Sequence, residues 1–349
     1  VLERAQLLEG FVALDRSGGS EEEEAPPGAQ ARDGVFTGNL NLVGTMQRGA
    51  KHERHWVTVT PNSTFVPKEL LGEILKLPEP RILSCSAWGT TMIAEALCEM
   101  GLRYVEDGEV WCTYVSEGVV VQVHTVRHGV SGFAPVPKEI EKTREAFSAG
   151  EFRVAHFSTT SGERKGTVDL IEAWMLLGDS LPPRAELFLI LDPLARAALV
   201  ERFMDRGIQL PTNISLLPRG DMLPKVMASL LGHMHVIACP SRAEGFGLTP
   251  LEARASGVPC IATITTGHSA GHVRGGGVIG IDQLPELVPI DDGPAALAQA
   301  VRPEDIASAL RAAHADWIGM SQRAVSEAPA VIEEWSWDAQ LAQLVEHLR

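Results

Sequence analysis

Two glutamates eight positions apart, Glu244 and Glu252, flank the stretch Gly245-Phe246-Gly247-Leu248-Thr249-Pro250-Leu251. The segment before it, His235-Val-Ile-Ala-Cys-Pro-Ser241, is apolar, too short for a helix and bounded by Pro and Ser, so it reads as a short buried strand. Thr249-Pro250-Leu251-Glu252 reads as a capping box with Pro at the first helical position. It predicts a helix from Pro250 to about Ser256, stopped by Gly257-Val258-Pro259. Strand, glycine loop and helix N-terminus make an anion-binding corner, because free backbone N–H groups and the helix dipole both favour negative charge there. Gly245 and Gly247 let the backbone come close to a ligand. An anion corner flanked by two hydroxyl-accepting carboxylates suits a sugar nucleotide. Taken singly, Glu252 is equally the reciprocal partner of the cap, and Glu244 a solvated loop acid.

A second corner lies upstream. Phe152-Arg-Val-Ala-His-Phe157 reads as a strand, Ser158-Thr-Thr-Ser-Gly-Glu-Arg-Lys-Gly166 as a loop, and Thr167 to Leu177 as a helix. Lys165 and Gly166 stand just before that helix, where a compact ammonium suits a diphosphate whose charge grows as a sugar departs. Arg164 offers a second phosphate clamp or, pointing away from its neighbour, a solvated surface charge. Between the corners, Ala185 to Leu191 is a continuous apolar run and Pro193 to Asp205 has helical spacing. The order from residue 152 onward, with strands and helices alternating, implies an α/β fold with a parallel, doubly wound sheet. Ile214 to Met222 reads as a further strand and a Pro-Arg-Gly-Asp turn.

From Pro240 to Thr263 the chain reads PSRAEGFGLTPLEARASGVPCIAT. This run resembles the donor-site signature of the GT-B glycosyltransferases, specifically retaining glycosyltransferase family 4. The resemblance implies two Rossmann-like domains facing each other across a cleft, with the donor in the C-terminal one. It implies that Glu252 binds the ribose hydroxyls, that Glu244 lies near the transferred sugar, and that Lys165 holds the diphosphate with the backbone of Gly245, Phe246, Gly247, Leu248 and Thr249. Thr265-Thr-Gly-His-Ser-Ala-Gly271 stands where such a chain closes the phosphate pocket, which makes His268 a donor-side residue. The family's usual arginine, five or six residues before the lysine, is replaced by Thr159 and Thr160. Arg81 to Trp88 and Val119 to Pro135 also resemble the family, the second with a His-Gly-Val turn at residue 128. His128 and His55 are acceptor-side candidates, with structural histidines as the plain alternative. Retention of configuration and freedom from a metal or other cofactor are implied by the resemblance alone.

The N-terminal half departs most from this pattern. Val1 to Asp15 reads as a helix, and Ser17 to Asp33, with Glu21 to Glu24, as an acidic flexible linker. The expected domains are 1–137 on the acceptor side, abbreviated, and 138–330 on the donor side. Residues 331–349 form a last helix crossing back to the first domain, where Trp335 and Trp337 would pack. A length of 349 residues with 45% hydrophobic content suits two cores. No apolar run spans a membrane and no signal peptide opens the chain, so the expected compartment is the cytoplasm. Five cysteines and the pairs His233/His235 and His268/His272 have no metal-ligand spacing.

The expected partners are a nucleotide-sugar donor and an acceptor glycan, small molecule or modified DNA; oligomeric state is left open. A net charge of −15 opposes a broad nucleic-acid surface. The compact N-terminal part nevertheless also resembles short phage-type members that glycosylate hydroxymethylated bases, with Arg48, Lys51, His52, Arg54 and His55 as a local basic cluster. A third reading is a non-catalytic GT-B relative serving as a binding partner.

Overall fold

The computed structural model describes residues 12–13, 35–37 and 55–58, and then 68–342 apart from 78–79, 108–110, 117, 159–161, 221–222, 269–270, 291–296 and 341. The acidic linker, the basic cluster over 48–54 and the threonines at 159 and 160 lie outside the described residues. The chain divides into two compact units, Val1–His128 with Gln340–Arg349, and Gly129–Ala339.

The first unit holds strands β1 (Val12–Ala13), β2 (Val35–Thr37), β3 (His55–Thr58), β4 (Pro80–Ser84), β5 (Arg103–Asp107), β6 (Trp111–Ser116) and β7 (Val119–Thr125), with helices α1 (Lys68–Ile74) and α2 (Ala87–Glu99). They form one sheet in the order β1-β2-β3-β4-β7-β6-β5. The first five strands in that order are parallel, and the hairpin of β6 with β5 and β7 is antiparallel. Val12 and Ala13, expected in a helix, are a strand in register with Val35 and Phe36, because sheet pairing supplies backbone partners that a short local helix lacks. The Ser86 hydroxyl caps α2 by accepting from the Gly89 N–H at 3.0 Å. Ile82, Ile93, Leu97, Val121 and Val123 make its core.

The second unit holds strands β8 (Glu151–Ser158), β9 (Arg184–Leu191), β10 (Ile214–Pro218), β11 (Val236–Cys239), β12 (Cys260–Thr263) and β13 (Val278–Ile281). Its helices are α3 (Pro137–Ser148), α4 (Thr167–Leu177), α5 (Pro193–Asp205), α6 (Pro224–Gly232), α7 (Leu248–Ala255), α8 (Pro303–Ala315) and α9 (Trp317–Glu334). A small antiparallel pair, β14 (Leu287–Pro289) and β15 (Leu297–Gln299), completes it. The large sheet is parallel throughout, in the order β10-β9-β8-β11-β12-β13. Strand order reverses between β8 and β11, which makes the carboxyl ends of those two strands the crevice of the sheet. All four residues of both β11 and β12 are buried, as an unbroken apolar run covered on both faces requires.

One face of the sheet is closed by a cluster around Trp317. Its indole N–H donates to the His235 carbonyl at 2.7 Å, and its ring lies 4.5 Å from Phe147 and 4.8 Å from His235 between centroids. Trp317→Ala removes this fully buried ring and orphans a carbonyl. It should cost about 3–5 kcal/mol of unfolding free energy in chemical denaturation; a loss below about 1 kcal/mol would contradict this packing role.

Buried histidines tie the strands together as neutral groups. His156 Nδ1–H donates to the Ala238 carbonyl at 2.8 Å, and its Nε2 accepts from the Thr167 hydroxyl at 3.0 Å, which pins the start of α4 to β8 and β11. His235 Nδ1 accepts from the Arg153 N–H, and its Nε2–H donates to the Thr143 carbonyl. Burial lowers the first imidazole to about 4 and the second to about 3. Below the ordinary value of 6.5 the unfolded chain therefore takes up protons that the folded chain refuses, and stability falls with pH until those folded values are reached. Unfolding free energy should decline from pH 6.5 toward 4 with a slope of about two protons, by about 3 kcal/mol for His156 alone. A flat profile across that window would refute the neutral, buried state of these rings.

Candidate active site

Two loops leave the carboxyl ends of β8 and β11 and meet at Glu244. The first ends in Gly162-Glu163-Arg164-Lys165-Gly166 and runs into α4. Gly166 is left-handed, with φ +68°, and a Cβ there would stand 2.0 Å from the Pro240 carbonyl oxygen, so only glycine lets the two loops touch. The second loop runs from Pro240 to Gly247 and into α7. Gly247 is also left-handed, at φ +83°, with the His268 ring occupying the place of its missing side chain. Neither α4 nor α7 has a side-chain cap; at α4 the Gly166 and Thr167 N–H groups turn back to the Glu163 and Gly162 carbonyls, each at 3.0 Å, and the helix dipole still favours negative charge at both ends.

The Glu244 carboxylate is buried and fully engaged. Its Oε1 accepts from Lys165 Nζ and the Ser241 hydroxyl, both at 2.6 Å, and its Oε2 accepts from the Arg164 guanidinium at 3.2 Å. Arg164 also donates to the Ala243 carbonyl at 3.2 Å. The Glu244 backbone is held as well: its N–H donates to the Thr266 hydroxyl at 2.8 Å, and its carbonyl accepts from that hydroxyl at 2.7 Å and from the Gly267 N–H at 2.8 Å. Burial pushes this carboxyl upward, but the charges of Lys165 and Arg164 and the Lys165 hydrogen bond outweigh it and hold the group well below the usual carboxylate range. Glu244 is therefore a permanent anion at physiological pH, unable to act as a proton donor.

His268 is buried behind Gly247. Its Nδ1 faces the Thr263 carbonyl at 3.2 Å, and a carbonyl only accepts, so Nδ1 carries the proton. Burial pushes the imidazole down against the pull of Glu244, which keeps the ring neutral and leaves Nε2 a bare acceptor. That nitrogen is buried and has no partner among the described residues. In this state His268 accepts from a hydroxyl and cannot donate to a phosphate through Nε2.

Glu252 differs from Glu244. The helix begins at Leu248 rather than Pro250, so the expected capping box does not form and Thr249 and Pro250 lie inside the first turn. The left-handed Gly247 starts the helix two residues early, and Pro250 is tolerated because its position would lack an intrahelical N–H partner anyway. Freed from the cap, the half-buried Glu252 side chain makes no hydrogen bond or ion pair among the described residues. Burial pushes its carboxyl up, against the opposing pull of Arg219 and Lys165. Phe246 packs inward against His272 and Trp335, at 4.8 and 5.9 Å between ring centroids, so its contribution to a ligand is through its backbone.

Arg164, Lys165, Gly166, Glu244 to Thr249, Glu252 and His268 thus all lie in one unit around one crevice. His128 is half-buried beyond β7 of the first unit, and His55 opens β3, where only the backbone is described. Sequence reading missed Ser241, which donates to Glu244, and the Arg242–Asp169 pair; Ser241 was legible as a polar residue closing the β11 strand, the pair was not. A cavity of about 620 Å³ lies between α5 and the ends of β9 and β10 and shares no residue with this crevice. Among the described residues no helix is long and apolar enough to cross a membrane.

Comparison with known proteins bears on this arrangement. Residues 151–303 match the family described as Glycosyl transferases group 1. Among solved structures, Alr3699/HepE of Anabaena, in complex with UDP and glucose, is similar with a TM-score of 0.61 at 18% identity, covering 90% of this chain and 77% of that chain. The α,α-trehalose 6-phosphate synthase of Burkholderia multivorans gives a TM-score of 0.64 at 16% identity, over 91% of this chain and 70% of that one. Sucrose-phosphate synthase of Thermosynechococcus elongatus gives 0.61 at 17%, over 90% and 73%. No curated protein sequence matches the chain. The structural likenesses show the GT-B fold, and the family match over residues 151–303 takes in the Glu244 crevice: the chain has the GT-B fold, and its similarity to the glycosyl transferases group 1 family over those residues marks it as a glycosyltransferase.

Proposed function

We propose that the enzyme transfers a sugar from a nucleoside-diphosphate sugar to an acceptor hydroxyl with retention of configuration, and without a metal or other cofactor. The observation that carries this reading is the buried Glu244–Lys165–Arg164 cluster between two uncapped helix N-termini at the crevice of the parallel sheet. The ribose hydroxyls donate to Glu252, whose carboxylate is otherwise unused. The diphosphate lies over Lys165, Arg164, the N-terminal end of α4 and the N–H groups of Gly245 to Thr249. UDP in Alr3699/HepE supports a nucleotide of this class.

Reaction breaks the bond from the anomeric carbon to the diphosphate oxygen, and the diphosphate leaves with the electron pair. Lys165, Arg164 and the helix N-termini stabilise that growing charge more than they stabilise the ground state. The sugar becomes oxocarbenium-like, and the permanently ionised Glu244 offsets its positive charge. Retention requires the acceptor oxygen to enter the face that the diphosphate vacates. The departing phosphate oxygen is then the nearest base for the hydroxyl proton, a role that Glu244, held far below the usual carboxylate range, performs poorly.

The test is a panel of UDP-, GDP-, ADP- and dTDP-sugars scored by thermal stabilisation and donor hydrolysis. A true donor at about a hundredfold its dissociation constant should stabilise the fold by about 2.7 kcal/mol. Lys165→Ala and Glu252→Ala should each lower turnover by about a hundredfold or more while the proteins still fold. Full turnover by either variant would sink the assignment, and failure of every donor to bind would favour a non-catalytic role.

A further inference from the structure

Arg242 lies between Ser241 and Glu244 in the loop, and its guanidinium is directed to α4. Its guanidinium makes a bidentate pair with Asp169, Nε–H to Oδ2 at 2.9 Å and Nη2–H to Oδ1 at 2.8 Å. Asp169 is buried in the first turn of α4. The Arg242 N–H donates to the Arg164 carbonyl at 2.8 Å. The Arg242 carbonyl accepts from the Thr265 hydroxyl and from the Gln283 side-chain amide, each at 2.8 Å. One residue is thus bonded to the helix whose N-terminus faces the crevice, to the loop that carries both cations, and to the segment that leads to His268.

We propose that Arg242, acting through Asp169, is a positioning residue of the donor site: it fixes the Arg164–Lys165 loop and the α4 N-terminus against the Glu244 loop, and it neutralises the one carboxylate in the first turn of α4. This rests on the donor reading above. The second effect follows from electrostatics. An unpaired Asp169 would place a negative charge within the first turn of the helix that receives the diphosphate, and would oppose the anion there. Paired two-pronged with Arg242, it leaves the helix N-terminus positive. The first effect follows from geometry, since a planar fork held by two parallel bonds fixes direction as well as distance, which a lysine in the same place does not.

The experiment uses the full chain and whichever of UDP, GDP, ADP or dTDP stabilises the wild type most, with binding measured by calorimetry on protein whose fold is checked by circular dichroism. Arg242→Lys keeps the charge and loses the fork; Asp169→Asn keeps the shape and loses the charge. Each should weaken nucleotide binding about tenfold or more. Because both act through one pair, the double variant should be no worse than the weaker single. A purely structural role would lower the melting temperature and leave the dissociation constant of the folded protein unchanged. Folded variants that bind as tightly as wild type, or losses that multiply in the double variant, would overturn the proposal. A wild type that binds none of the four nucleotides would instead overturn the donor reading, and the proposal with it.

Discussion

A carboxylate as buried as Glu244 is costly to keep ionised: removing it from water carries a penalty of several kcal/mol that only close, well-directed donors offset. Here Lys165, Arg164 and Ser241 supply them. Two of those donors come from a loop some 80 residues away in sequence, so the folded charge can exist only if the loops leaving β8 and β11 are in contact. That contact in turn demands a residue without a side chain at 166, because the Pro240 carbonyl occupies the space a Cβ would need. The parallel sheet makes it possible: β8 and β11 are hydrogen-bonded neighbours, and their carboxyl ends lie side by side where the strand order reverses.

The same constraint explains how the histidines are used. A cationic imidazole near Lys165 and Arg164 would repel them, and burial prevents it. His156 and His268 are both held neutral, with Nδ1 protonated toward a strand carbonyl and Nε2 left as an acceptor. His156 spends its acceptor on the Thr167 hydroxyl at the start of α4. His268 keeps its acceptor unspent beside Gly247. One histidine therefore completes a structural joint, and the other packs as a neutral ring in the space that glycine leaves at position 247.

Much of the second unit was legible because its strands are continuous apolar runs and its helices carry clear starts. Pro193–Asp205 and Thr167–Leu177 form over the residues that their spacing predicts, the first under an Asp192 side chain that accepts from the Ala195 N–H at 2.7 Å. Local signals failed where a tertiary contact overrode them. Thr249-Pro250-Leu251-Glu252 satisfies the capping-box pattern, but Gly247, forced left-handed against His268, starts the helix earlier. Val12 and Ala13 follow a sheet neighbour rather than local helix propensity. Arg242 and Asp169 are 73 positions apart, and no one-dimensional pattern links a loop arginine to a helix acid at that separation. Trp335 reads as a core residue, yet that it lies against Phe246 of the Glu244 loop emerges only from the fold.

The two glutamates that frame the loop end with opposite electrostatics, and the opposition follows from what each touches. Glu244 sits among cations and hydroxyl donors, which hold its carboxyl well below the ordinary range. Glu252, one loop and one helical turn further on, has burial without hydrogen-bond partners among the described residues, and its carboxyl rises. A carboxylate saturated by its own protein has little left for a ligand except its field, which suits a group that faces a developing positive charge. A carboxylate that is desolvated and unpaired gains from any hydroxyl that reaches it, because each new hydrogen bond relieves a cost already incurred in folding. On the proposed donor reading, the eight-residue spacing separates two tasks that one acid could not combine: a fixed charge at the reacting end of the donor and an unfilled acceptor at its far end.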